Sequence, residues 1–136
     1  MIDTSLVQLR MELPFFESVS AGFPSPAADY MDKKLDLNEL CIRNPSSTFF
    51  IRVQGDSMCN AGIYDGDILI VDRSLTAKDR AIVVAIVEGD FVIKRLYQQG
   101  KRLWLVAENP QYLPIIIEEE TDFEIWGVVK TVIHNV

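Results

Sequence analysis

From Ser47 onward, apolar residues fall in short runs rich in Val, Ile, Phe, Tyr and Trp, at residues 48–53, 67–71, 81–87, 91–97, 102–107 and 123–133. Runs of this length and composition predict β-strands. Turn-forming residues separate them: Tyr64-Asp65-Gly66-Asp67, Glu88-Gly89-Asp90 and Gln98-Gln99-Gly100. Such punctuation makes at least two of the connections hairpins. No strand alternates with a long helical pattern, which disfavours parallel βαβ units. The expectation is a mainly β, antiparallel and partly closed, barrel-like sheet domain over residues 41–136.

Residues 1–40 read differently, as an N-terminal arm with no sustained apolar alternation. Leu6, Leu9 and Leu13 have the spacing of one helical turn, which Pro14 stops. So short a helix is marginal without packing. The stretch Ser20-Ala21-Gly22-Phe23-Pro24-Ser25-Pro26 favours an extended, exposed backbone that a protease can reach. Leu35, Leu37 and Leu40, set among charges, suggest a short turn or helix leading into the body.

Composition narrows the class. With 136 residues, 49% hydrophobic and 24% charged, the chain has globular usage and the size of one domain. Its net charge of -7 supplies no global positive field to hold nucleic acid by counterion release, so no direct DNA binding is expected. Cys41 and Cys59 stand far apart, outside any C-x-x-C pattern, which argues against a zinc cluster or a disulfide framework and fits a reducing cytosol. The longest apolar stretch, residues 81–87, is too short to span a membrane. Asp3, Arg10 and Glu12 interrupt the apolar centre a signal peptide needs. The expectation is a soluble cytoplasmic protein with no membrane association, cofactor or metal.

Candidate chemistry is sparse. The one histidine, His134, stands third from the C-terminus, which discounts Ser-His and Cys-His machinery. Glu118, Glu119 and Glu120 read as a solvated acidic run, and Gly55, Gly62 and Gly66 form no phosphate-binding fingerprint. Two residues stand out. Ser57, in Gln54-Gly55-Asp56-Ser57-Met58, lies where a strand gives way to a sharp turn; its plain role is a turn or N-cap serine. Lys94, in Phe91-Val92-Ile93-Lys94-Arg95-Leu96-Tyr97, shares a strand face with Val92 and Leu96; its plain role is an edge lysine reaching for water.

Taken together they suggest a Ser-Lys dyad, in which a neutral lysine removes the serine proton. A free lysine titrates near about 10.4, whereas a general base working near neutrality needs roughly 7 to 8. Burial among apolar neighbours disfavours the ammonium and supplies the change. The backbone N–H groups of Ser57 and Asp56, at a sharp turn, are candidates to receive an oxyanion.

Four ordered blocks carry a resemblance covering the chain from about Gly22 to its end. They are Gly22-Phe-Pro-Ser-Pro-Ala-Ala-Asp-Tyr30, Gly55-Asp-Ser-Met58, Asp65-Gly-Asp-Ile-Leu-Ile-Val-Asp72 and Ile93-Lys-Arg-Leu96. This combination resembles the LexA-like self-cleaving serine peptidases, in particular their UmuD branch of DNA polymerase V accessory subunits. The resemblance implies that Ser57 is the nucleophile, Lys94 the general base and Ala21-Gly22 the bond cut. It also implies a homodimer, stimulation by a RecA filament on single-stranded DNA in the SOS response, and a UmuC-like translesion polymerase as partner. UmuD-type chains carry cysteine before the scissile glycine; Ala21 matches instead the Ala-Gly bond of LexA and phage repressors, and both residues are small. The repressors place a helix-turn-helix domain ahead of this bond, and the 21 residues before it here leave no room for one. The competing expectation is a noncatalytic β-module that bridges a DNA polymerase to partner proteins, with Ser57 only a turn residue.

Overall fold

The computed structural model describes residues 10–16 and 31–136. The chain divides into two compact units, one ending at Arg43 and the other comprising Asn44–Val136. The proposed bond Ala21-Gly22 and the Pro-rich stretch around it lie outside the described residues, as do Leu6 and Leu9.

In the first unit, β1 (Glu12–Phe16) pairs antiparallel with β2 (Met31–Asp36), and α1 (Leu37–Cys41) follows directly. Leu13 and Pro14 therefore lie in a strand, which corrects the helical turn expected there. Pro14 stands opposite Lys34 in a two-stranded sheet, where a missing N–H is tolerated on the unpaired edge. Of the short turn or helix expected over residues 29–40, residues 31–36 with Leu35 are instead strand β2, and only α1 is helical, capped by Asp36, whose Oδ1 accepts from the Asn38 N–H at 2.9 Å.

The second unit is built on seven strands: β3 (Thr48–Arg52), β4 (Ile68–Asp72), β5 (Ile82–Val87), β6 (Asp90–Gln99), β7 (Arg102–Val106), β8 (Ile115–Ile117) and β9 (Phe123–Ile133). All pair antiparallel, in the order β3-β4-β9-β5-β6-β7-β8. This is the mainly β antiparallel class the apolar runs predict. The end strands β3 and β8 do not pair with each other, so the sheet stays open at that seam.

Glu88 and Gly89, between β5 and β6, both have positive φ, at 49° and 85°. That is the signature of a two-residue hairpin turn whose twist matches its strands. Strand β8 has no counterpart in the sequence reading, because three isoleucines before an acidic run give too short a signal.

Core residues form two clusters. One gathers Val53, Met58, Ile63, Leu69, Val71 and Val84, the other Val83, Ala85, Leu96 and Leu105. Successive residues of β5 thus feed opposite clusters, which is why residues 82–87 read as a continuous apolar run rather than an alternation. Strand β9 carries Lys130 as an extra residue against β4 and Trp126 as one against β5. Between them sits Gly127, where a Cβ would come within 2.6 Å of Val71 Cγ1. Among the described residues, no helix is long and apolar enough to cross a membrane.

Candidate active site

Ser57 lies in the long connection between β3 and β4. The ladder between these strands ends where Val53 N–H donates to Asp67 O and Gly66 N–H to Val53 O, both at 2.8 Å. Everything between lacks ladder bonds and is held by turn bonds of its own and by contacts to residues 108–112. Gly55 takes φ +93°, a conformation that disfavours any residue with a Cβ, and its N–H donates to Asp65 Oδ1 at 2.7 Å. Asp56 O accepts from the Cys59 N–H at 3.2 Å, closing a turn with Ser57 at its second position.

Immediately after the serine, Met58 is 2% exposed in the first core cluster. Its sulfur accepts from the Glu108 N–H at 3.4 Å. The chain therefore anchors one residue in the core and leaves the preceding one half-buried at the surface. A buried neighbour of this kind fixes the direction in which the Ser57 side chain can point.

Lys94 lies on β6 opposite Val83 of β5, while Val92 stands opposite Ala85. Val83, Ala85 and Leu96 belong to the second core cluster and Val92 packs against it. The lysine thus stands on an apolar face, as the period-2 pattern implies, and is only 8% exposed. Burial pushes its ammonium below the ordinary lysine range. Among the described residues no carboxylate pairs with it; its recorded contact is the Tyr112 ring, whose centroid is 5.4 Å from Nζ. The next residue, Arg95, pairs through Nε with Glu108, tying β6 to the segment that follows β7.

Ser57 and Lys94 line a single cleft of about 450 Å³. Its lining combines apolar residues, among them Ile51, Val84 and Ile93, with the Gly55–Met58 segment and Tyr112. The backbone N–H groups of Asp56 and Ser57 have no recorded hydrogen-bond partner among the described residues. A half-buried serine hydroxyl, a desolvated amine and two unengaged N–H donors are the parts that acyl transfer needs.

A match to the Peptidase S24-like family model runs from residue 14 to residue 130, most of the chain. The chain belongs to the Peptidase S24-like family. Within reach of this family are Protein SamA of Salmonella typhimurium strain LT2, 47% identical over 121 residues that cover 89% of this chain and 84% of SamA. Protein MucA of Escherichia coli is 46% identical, over 86% of this chain and 81% of MucA. LexA repressor 1 of Geobacter sulfurreducens is 42% identical over 88% of this chain, which spans 59% of that repressor. The likeness to LexA-like peptidases stated on four sequence blocks thus extends over nearly the whole S24-like chain.

Three further residues hold the site, and the sequence does not single out any of them for that role. Asp65 holds Gly55, while Asn109 and Tyr112 hold Asp56. Asp65 sits in a turn signal and Asn109 in an Asn-Pro pair, both of which read as loop chemistry. Their reach across the fold is set by tertiary placement of the β3–β4 and β7–β8 connections.

Proposed function

We propose that this chain is a self-cleaving serine peptidase of the SOS response that cuts its own Ala21-Gly22 bond with Ser57 as nucleophile and Lys94 as general base. The observation that carries this reading is the pairing of a half-buried serine with an apolar-buried lysine in one cleft of an S24-like chain. Lys94, neutral, takes the Ser57 hydroxyl proton as Oγ attacks the Ala21 carbonyl carbon. The resulting oxyanion is received by the N–H groups of Ser57 and Asp56. Collapse breaks the C–N bond, Lys94 returns its proton to the Gly22 amine, and Ala21 remains as an ester on Ser57. Water, losing a proton to Lys94, then attacks the ester and regenerates the serine. Small residues on both sides of the bond let its backbone approach the nucleophile closely.

In this reading the N-terminal arm is an intramolecular substrate whose docked fraction sets the rate. A RecA filament on single-stranded DNA raises that rate in a cytoplasmic homodimer, and the product serves as accessory subunit of a UmuC-like translesion polymerase. These partners are what the resemblance to UmuD-type chains implies.

The test is N-terminal sequencing of the purified chain after incubation with RecA, nucleotide and single-stranded DNA. A fragment beginning at Gly22 in the natural chain, absent from Ser57→Ala, is the expected result. An intact chain, or the same fragment from Ser57→Ala, overturns the assignment and leaves the noncatalytic β-module.

A further inference from the structure

The connection between β7 and β8 reaches back to the residue that precedes Ser57. The Tyr112 hydroxyl donates to Asp56 Oδ1 at 2.6 Å, and Asn109 Nδ2 donates to Asp56 O at 3.0 Å. The ring of the same tyrosine lies 5.4 Å from Lys94 Nζ. One side chain therefore meets the lysine of the proposed dyad with its ring and the residue preceding the serine with its hydroxyl. Resting on that dyad, we propose that Tyr112 is a positioning residue of the self-cleavage reaction, fixing Asp56, and with it the Ser57 hydroxyl and the two oxyanion donors, against the amine its own ring covers.

The loop needs such a restraint. Between Val53 and Gly66 it gains no strand ladder; Asp65 pins the Gly55 N–H, Asn109 and Tyr112 pin Asp56, and Glu108 pins Met58 Sδ and the Asn60 N–H. Of these, the phenol-to-carboxylate bond is charge-assisted and short, hence the stiffest. It also links the loop to a residue that lines the same cleft and whose ring lies at the amine. Hydrogen bonding to Asp56 raises the Tyr112 hydroxyl above its ordinary range, while burial lowers Lys94. Ordering of a base and nucleophile by a third group is the general logic of such sites.

The test uses the full chain and two readouts: self-cleavage, and covalent capture of Ser57 by a fluorophosphonate, which needs no docked arm. Tyr112→Phe keeps the ring and removes the hydroxyl. Expected is a fall of about tenfold in both rates, with the pH midpoint of capture and the melting temperature unchanged. Asp56→Ala combined with Tyr112→Phe should lose no more than the worse single variant, because both remove one bond. A natural rate in Tyr112→Phe, or losses that multiply in the double variant, overturns the proposal. Failure of the dyad itself has its own signature, namely capture of Ser57 that is undiminished in Lys94→Ala, and that result overturns both readings.

Discussion

Lys94 is a cation the fold would be more stable without. It is buried on an apolar face with no carboxylate partner among the described residues, and its ammonium is shifted below the ordinary lysine range by that burial. A folded pKa below the unfolded one means the native state binds the proton less readily. The cost is therefore largest at pH values below the folded pKa and is relieved as pH rises through it toward about 10.4. Lys94→Met, of similar length and uncharged, is predicted to melt higher than the natural chain near neutrality, with the gap closing in alkaline melts. Cleavage should be lost throughout. Thermal melts of the two chains across that range check this, and a natural chain that melts higher near neutrality contradicts it. Ser57 and Lys94 were legible because each breaks a local rule, a charge in an apolar strand and a serine at a sharp turn. Tyr112 breaks none, being an aromatic beside a loop, so only tertiary placement reveals its contacts.

At the scale of elements, the six apolar runs give β3, β4, β5, β6, β7 and β9 almost to their ends, since strands buried on one or both faces leave a direct record in composition. Strands β1 and β8 leave none: β1 contains a proline and β8 has three residues. Gly127 is equally silent in the sequence, yet it marks where β9 passes Val71 too closely for a side chain. Gly127→Ala forces a methyl into Val71 Cγ1, and packed interiors resist such insertions at a cost of about 1–3 kcal/mol. A denaturant midpoint lowered to match, with the slope unchanged, is the expected result; an unchanged midpoint shows that β9 can shift to make room.

Across the second unit as a whole, acid is the predicted weakness. Asp72 is buried at the end of β4 and accepts from Asn44 Nδ2, the Ser74 N–H and hydroxyl, and the Ser47 hydroxyl at 2.7–2.9 Å, bonds that hold its carboxyl well below the ordinary range. Burial alone would raise Asp67, but the Tyr64 N–H and the His134 ring outweigh it, and it too is lowered. For depressed carboxylates the stabilisation is complete above the unfolded pKa of about 3.9 and is lost as pH falls through the folded values. Asp72→Asn is predicted to lower the melting temperature by several degrees near neutrality and to flatten its fall in acid. A mutant with the same acid slope as the natural chain would refute this linkage. The central claim, that a neutral Lys94 activates Ser57 against the chain's own arm, is tested most directly by the rate at which the Gly22 fragment appears without RecA as pH is raised. The predicted rate climbs about tenfold per pH unit and levels off below the ordinary lysine pKa of about 10.4, with no fragment from Lys94→Ala. A rate that ignores pH, or a Lys94→Ala chain that still cuts itself at the natural rate, contradicts it.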